Sequence, residues 1–174
     1  YPLENLDGLA GQIVSLRKKF NSYTSFAGKT IEEIFDAEQL TTSTILEVNT
    51  LASGYLKNEG STFIFVPFNS ELQVAPILDF VTYDFDGDGK NEVLVGGNYF
   101  GVKPFHGRFD SFSGALIKNE KHFILGSQLG IDFTQKSVRH LHILDINDTP
   151  YLLVIYNNAP SETYQILNKS KVKP

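Results

Sequence analysis

Asp84-Phe85-Asp86-Gly87-Asp88-Gly89-Lys90-Asn91-Glu92 is the stretch on which the reading of this chain turns. Its carboxylates alternate, or nearly so, around two glycines. That is the chemistry of a hard, oxygen-seeking cation, and Ca²⁺ fits the pattern best. The glycines let the backbone curl so that the acids at the first, third and fifth positions, Asp84, Asp86 and Asp88, converge. The seventh residue, Lys90, offers its backbone carbonyl, so its side-chain charge is no obstacle. Glu92 at the ninth position completes the shell. The alternative is a solvated acidic turn between two strands.

The flanks separate this loop from a helical calcium site. An EF-hand needs a bidentate Glu at its twelfth position and a helix leaving the loop. The twelfth residue here is Val95. The exit, Glu92-Val93-Leu94-Val95-Gly96-Gly97, is a β-branched apolar run that predicts a buried strand, and the entry Ile77–Tyr83 reads the same way. The ion is therefore expected in a strand–loop–strand connection.

An internal repeat runs through the sequence. Ser53-Gly54-Tyr55-Leu56-Lys57-Asn58-Glu59-Gly60-Ser61-Thr62-Phe63-Ile64-Phe65 resembles Ser113-Gly114-Ala115-Leu116-Ile117-Lys118-Asn119-Glu120-Lys121-His122-Phe123-Ile124-Leu125, 60 residues on. The acidic loop and its exit strand are echoed, 61 residues on at the aspartates, by Leu144-Asp145-Ile146-Asn147-Asp148-Thr149-Pro150 and the apolar run after it. Such a period, built of short strands with turns between them, suggests four-stranded propeller blades.

The predicted fold is mainly β with a small helical N-terminal part: a helical segment at 1–42 packing on the β-structure, and about two to two and a half antiparallel blades at 43–174. Strands are expected near 51–57 and 62–67, near 77–83, 92–96, 113–118 and 121–126, and near 138–144, 151–156 and 163–167. The shorter Asp145–Pro150 loop lacks the glycines and is expected to hold no calcium.

The loop within a strand pair resembles the FG-GAP/VCBS repeat family of calcium-binding β-propellers. Gly96-Gly97-Asn98-Tyr99-Phe100-Gly101-Val102-Lys103-Pro104, followed by Gly107-Arg108-Phe109-Asp110, is similar to the C-terminal blades of the bacterial members that also carry an ASPIC/UnbV domain and are related to cartilage acidic protein. The segments Thr30–Leu40 and Leu46–Ser53 look like that group too. The resemblance covers about residues 15–125. It implies metal positions at Asp84, Asp86, Asp88, Lys90 (carbonyl) and Glu92, and a secreted or surface-exposed binding scaffold.

Composition agrees. The chain has 174 residues, enough for a sizeable core, and 41% apolar with 13% aromatic residues places it among globular sequences. A formal charge of −5 argues against electrostatic binding of nucleic acid. No stretch approaches the ~18 apolar residues of a membrane span. With no cysteine, disulfides and thiol chemistry are excluded. The first residue is Tyr1, which reads as a processed form or a piece of a longer chain. An extracellular or cell-surface location, with the periplasm also compatible, is what the calcium loop and the resemblance together imply, since external calcium at roughly millimolar level fills even a weak site.

The N-terminal part has a different texture. Leu9, Ile13, Leu16 and Phe20 are spaced as one face of an amphipathic helix, with Arg17, Lys18 and Lys19 near its C-terminal end. Thr30 and Glu33 form a capping-box pattern that opens a second helix, with Ile31, Ile34 and Phe35 on its inner side.

Other sites are less defined. His140 and His142 share one side of a predicted strand, as the start of a Zn²⁺ site or as ordinary strand histidines. Tyr99, Phe100, Phe105, Arg108 and Asp110 form a candidate ligand-binding loop, whose aromatics otherwise pack between blades. In that loop His106, Arg108 and Asp110 would either perform acid–base work or brace the excursion.

Two functions follow. The first is a non-catalytic, calcium-stabilised binding or adhesion scaffold for a protein or glycan ligand. Its neighbours would be further blades of a parent protein, or a second copy joined through open blade edges. The second is an enzyme or enzyme-associated domain of hydrolase type, with its site in the 98–110 loop.

Overall fold

A computed structural model describes residues 1–119 and 122–167. The chain is mainly β with a small helical N-terminal part, and it divides into two units, Tyr1–Asn49 and Thr50–Pro174.

In the first unit the apolar stripe does not form one helix. α1 (Leu6–Gln12) starts at Asn5, whose side chain accepts the Gly8 N–H at 2.8 Å, and stops at Ile13. α2 (Leu16–Lys19) follows after a break. Gly8 and Gly11 weaken the interior of α1, each by ~1 kcal/mol relative to alanine. Of the expected stripe, Leu16 and Phe20 are buried and Leu9 packs against them, whereas Ile13 leaves the helix and is exposed with Val14, and Leu6 and Ala10 are buried in addition. The second expected helix also divides, into α4 (Ile31–Ile34) and α5 (Ala37–Thr42), after the single turn of α3 (Tyr23–Phe26). The predicted cap is present: the Thr30 N–H donates to the Glu33 carboxylate at 2.8 Å. A new cap at Asp36, whose N–H donates to Gln39 at 3.0 Å, explains the division. Of the basic cluster, Arg17 pairs with Asp7, and the Lys19 ammonium donates to the Ile34 carbonyl at 2.9 Å.

The second unit holds three antiparallel sheets with strands in chain order. β1 (Gly54–Asn58) and β2 (Phe63–Pro67) form a hairpin. β3 (Ile77–Tyr83), β4 (Glu92–Gly97), β5 (Ala115–Asn119) and β6 (His122–Leu125) form a four-stranded sheet. β7 (Val138–Ile146), β8 (Thr149–Tyr156) and β9 (Glu162–Gln165) form a three-stranded one. None of the sheets closes on itself or curls into a propeller. Each expected strand is present to within a few residues. Residue 121 of the expected strand 121–126, and Glu120 beside it in the repeat, lie outside the described residues.

The repeat is visible in the pairing. Ile77 pairs with Gly97 and Asp79 with Gly96, the register slipping at Leu78. Val138 pairs with Tyr156 and His140 with Ile155, the register slipping at Arg139. The same irregularity therefore sits at the same place in two sheets. Even the bond beyond the strand end recurs: Asn98 N–H donates to the Pro76 carbonyl at 3.1 Å, and Asn157 N–H to that of Ser137 at 2.8 Å. The hairpin echo is looser, because Tyr55 pairs with Val66 where Ala115 pairs with Leu125, one step out of the sequence match.

After Glu92, β4 is apolar because both its faces are buried. Val95 joins Leu72, Ala75, Phe112 and Ala115 in one cluster, while Leu94 joins Leu116, Val138, Leu141, Leu152 and Val154 in another. Each of the valine, leucine and phenylalanine side chains among them contributes ~1.5–3 kcal/mol by leaving water. Gly96 permits the close approach of the two sheets: a Cβ there would stand 2.8 Å from a Val138 methyl.

Asn98 follows β4 with φ +74 and is wholly buried. Its amide nitrogen donates to the carbonyls of Phe112 and Phe133 at 2.9 Å and of Lys136 at 3.0 Å, and its oxygen accepts the Phe112 N–H at 3.0 Å. Removing the amide takes a partner from the Phe112 N–H and from the carbonyls of Phe112 and Lys136, at ~1–3 kcal/mol for each that water cannot reach, while the Phe133 carbonyl keeps the Lys136 N–H at 3.0 Å. Asn98→Gly, which tolerates the positive φ, is therefore expected to lower unfolding free energy by ~3 kcal/mol or more in urea denaturation. A loss no greater than that of an exposed substitution would show that the network is dispensable.

Candidate functional site

The acidic loop joins β3 to β4, as the sequence predicts. Asp84 begins it directly after β3, and Glu92 opens β4. Gly87 and Gly89 take φ of +79 and +88, the left-handed conformation that glycine adopts without strain. Ligand oxygens of Asp84, Asp86 and Asp88 lie within 4.8 Å of one another. Among the described residues this is the one group of three or more acidic, histidine or cysteine side chains so gathered.

The loop is held by its own carboxylates. Asp84 accepts the N–H groups of Gly87 at 2.8 Å and Gly89 at 3.0 Å. Asp86 accepts the Asp88 N–H at 3.1 Å, and Asp88 the Lys90 N–H at 2.8 Å. Glu92 lies outside the gathered triad. It is buried, and its carboxylate accepts the Phe85 N–H at 2.9 Å, tying the loop's start to its end. Lys90 is exposed.

Lys118, which sequence reasoning did not select, reaches the loop from β5. Its ammonium donates to Asp86 at 2.6 Å. That bond holds the Asp86 carboxyl below the usual aspartate range and raises the Lys118 ammonium above its own. The signal available in the sequence was its place in the repeat, two residues after Leu116, on the strand adjoining β4.

The corresponding turn between β7 and β8 is tighter than expected. Asp145 is paired within the strand to Pro150, and the connection is Asn147-Asp148, with φ of +52 and +59. These values suit a two-residue hairpin turn.

In the 98–110 loop, Tyr99 and Phe109 pair through their backbones at 2.8 and 3.0 Å. The Arg108 guanidinium stacks 4.8 Å from the Phe100 ring centroid and lies 3.4 Å from Asp110. Phe105 packs beside His106, at 4.2 Å between centroids, and is largely exposed. His140 and His142 are both exposed, and His140 Nδ1 stands 3.7 Å from Asp79.

A second polar cluster also escaped the sequence reading. Glu162 accepts hydrogen bonds from Lys136 at 2.5 Å, Tyr156 at 2.7 Å and Tyr164 at 2.6 Å. Burial opposes its ionisation, but these three donors outweigh it and bring the carboxyl down to about 2. Burial and the bond to Glu162 push Tyr164 up to about 12, and raise Tyr156 as well. Every polar atom that converges there has a partner, so the cluster pins β9 to the segment before β7.

Comparisons with protein families, with curated proteins and with solved structures found no match for this chain.

Two outcomes are expected. Asp84→Ala should lower the melting temperature in excess chelator more than Asp88→Ala, since Asp84 bonds two loop amides and Asp88 one; equal effects would contradict the assigned roles. For Glu162, the folded carboxyl titrates near 2 against an ordinary value of 4.5. Its contribution is therefore full above pH 4.5 and is lost as pH falls toward 2. Glu162→Gln should flatten the acid limb of the stability curve over that window, and an unchanged limb would refute the cluster's role.

Proposed function

We propose that this protein is a non-catalytic, calcium-stabilised binding scaffold of the FG-GAP/VCBS type, acting outside the cell or at its surface. The observation that carries the reading is the convergence of Asp84, Asp86 and Asp88 in a strand–loop–strand connection. Hard carboxylate oxygens on a pre-curled loop fit Ca²⁺. The three aspartates would hold the ion, with the Lys90 carbonyl and Glu92 as the further positions that the family resemblance implies. A bound ion would supply positive charge between the acids and stiffen the connection between β3 and β4.

The finer architecture proposed is a partial propeller. Its three sheets would be the outer half of one blade, one complete blade and three strands of another. The matched bulges in β3–β4 and β7–β8 support that reading, because they make the two sheets copies of one unit. No helix among the described residues is long and apolar enough to cross a membrane. A binding role for the 98–110 loop, toward a protein or glycan, is supported by exposed Phe105 and Phe109 on a braced backbone. Its polar groups support bracing over the hydrolase alternative, since Arg108 is engaged by Phe100 and Asp110.

The test is the melting temperature in millimolar Ca²⁺ and in excess chelator. An ion at ~100 times its dissociation constant stabilises by ~2.7 kcal/mol, which raises the midpoint by several degrees. The rise should vanish in Asp86→Ala. No rise in the unsubstituted protein would sink the calcium reading.

A further inference from the structure

The acids between β3 and β4 already hold a positive charge, and the protein supplies it from another strand. Lys118 stands on β5, 32 residues from Asp86, and its ammonium donates to Asp86 Oδ2 at 2.6 Å. The other oxygen of that carboxylate, Oδ1, accepts the Asp88 N–H at 3.1 Å. The Asp86 oxygen that the loop backbone leaves to a cation is therefore the one the lysine occupies. Asp84 differs, because each of its oxygens accepts a loop amide, from Gly87 and from Gly89.

The charges do not balance. Asp84, Asp86 and Asp88 gather their ligand oxygens within 4.8 Å, and one ammonium offsets one of their three charges. The Lys118 and Asp86 side chains are 35% and 37% exposed, so water screens the pair and it adds little stability by itself. A divalent ion offsets two charges and contacts several carboxylates at once. A sodium or potassium ion offsets one, as the ammonium does, and gains little by taking its place.

We propose that Lys118 is a built-in counter-ion of the loop, which Ca²⁺ displaces from Asp86 as it binds. The inference rests on the calcium reading and concerns what regulates that same site. Lys118 sets the affinity, because the ion must break the bond to Asp86 and then share the neighbourhood with the lysine's charge. It also sets the selectivity, because only an ion of higher charge profits from the exchange. The exchange carries the state of the loop to β5, since the bond between them is present without the ion and broken with it.

The test is calorimetric titration of Ca²⁺ into the full protein and into Lys118→Met, both in potassium chloride. Methionine keeps an apolar stem where Lys118 lines a cleft with Ile117 and Phe123, and removes the charge. The affinity of Lys118→Met should rise by about tenfold or more, ~1.4 kcal/mol. A unit charge a few ångströms from a divalent ion has that effect even when screened as in water. The melting temperatures should cross over: Lys118→Met lies below the unsubstituted protein in excess chelator and above it in millimolar calcium. A lysine that only braced the loop would lower both. In the unsubstituted protein, the Lys118 ammonium resonance followed by ¹⁵N NMR should move as calcium is added. Equal or weaker calcium binding by Lys118→Met, or an ammonium resonance that saturating calcium leaves in place, would overturn this inference alone. No calcium binding by either protein would sink the calcium reading with it.

Discussion

The second unit depends on one buried amide. Asn98 ends β4 in a left-handed conformation, and from there its side chain bonds the backbone at Phe112, Phe133 and Lys136. Those residues lie before β5 and on the path from β6 to β7. One side chain thus fixes the long excursion out of β4 and the linker that delivers the next sheet. Buried backbone groups without partners are costly, and these segments have no regular ladder to supply them. Ser137 completes the arrangement by donating to the Asn98 carbonyl at 2.9 Å. Asn157 stands at the matching place after β8 and is exposed. The same residue type therefore serves as a lock where a further sheet follows and as a surface group where none is described.

The acidic loop illustrates preorganisation. Bonds from backbone amides to Asp84, Asp86 and Asp88 already set the curl that brings the three carboxylates together. Lys118 relieves part of the repulsion between them. An arriving cation would meet acids already gathered, so less ordering would oppose its binding. The cation would also compete with the Lys118 ammonium for Asp86, which ties the loop to the β5 strand in its absence.

The order of strands was legible because each is a short apolar run bounded by glycine, asparagine or proline, and period-two patterning is local. The acidic loop was legible for a similar reason, as its ligands are nearly contiguous. The N-terminal helices were misjudged because a stripe at helical spacing does not reveal where a helix stops. Gly8, Gly11 and a fresh cap at Asp36 broke the elements that Leu9–Phe20 and Thr30–Leu40 predicted as continuous. Lys118 was missed because its partner Asp86 lies 32 residues away, and the Glu162 cluster because Lys136, 26 residues before it, is brought in only by the fold.

The amino-acid sequence by itself determined the strands, their repeat near 60 residues and the convergence of acids between β3 and β4. These follow from side-chain alternation, turn residues and the conformational freedom of Gly87 and Gly89, all of which act over a few residues. Tertiary structure decided which faces are covered. Phe80 and Leu141 are equivalent by sequence, yet one is exposed and the other buried, because exposure depends on the sheet that stands opposite. It also decided the part played by the Asn98 side chain, whose partners lie up to 38 residues away and come within reach only when the sheets pack.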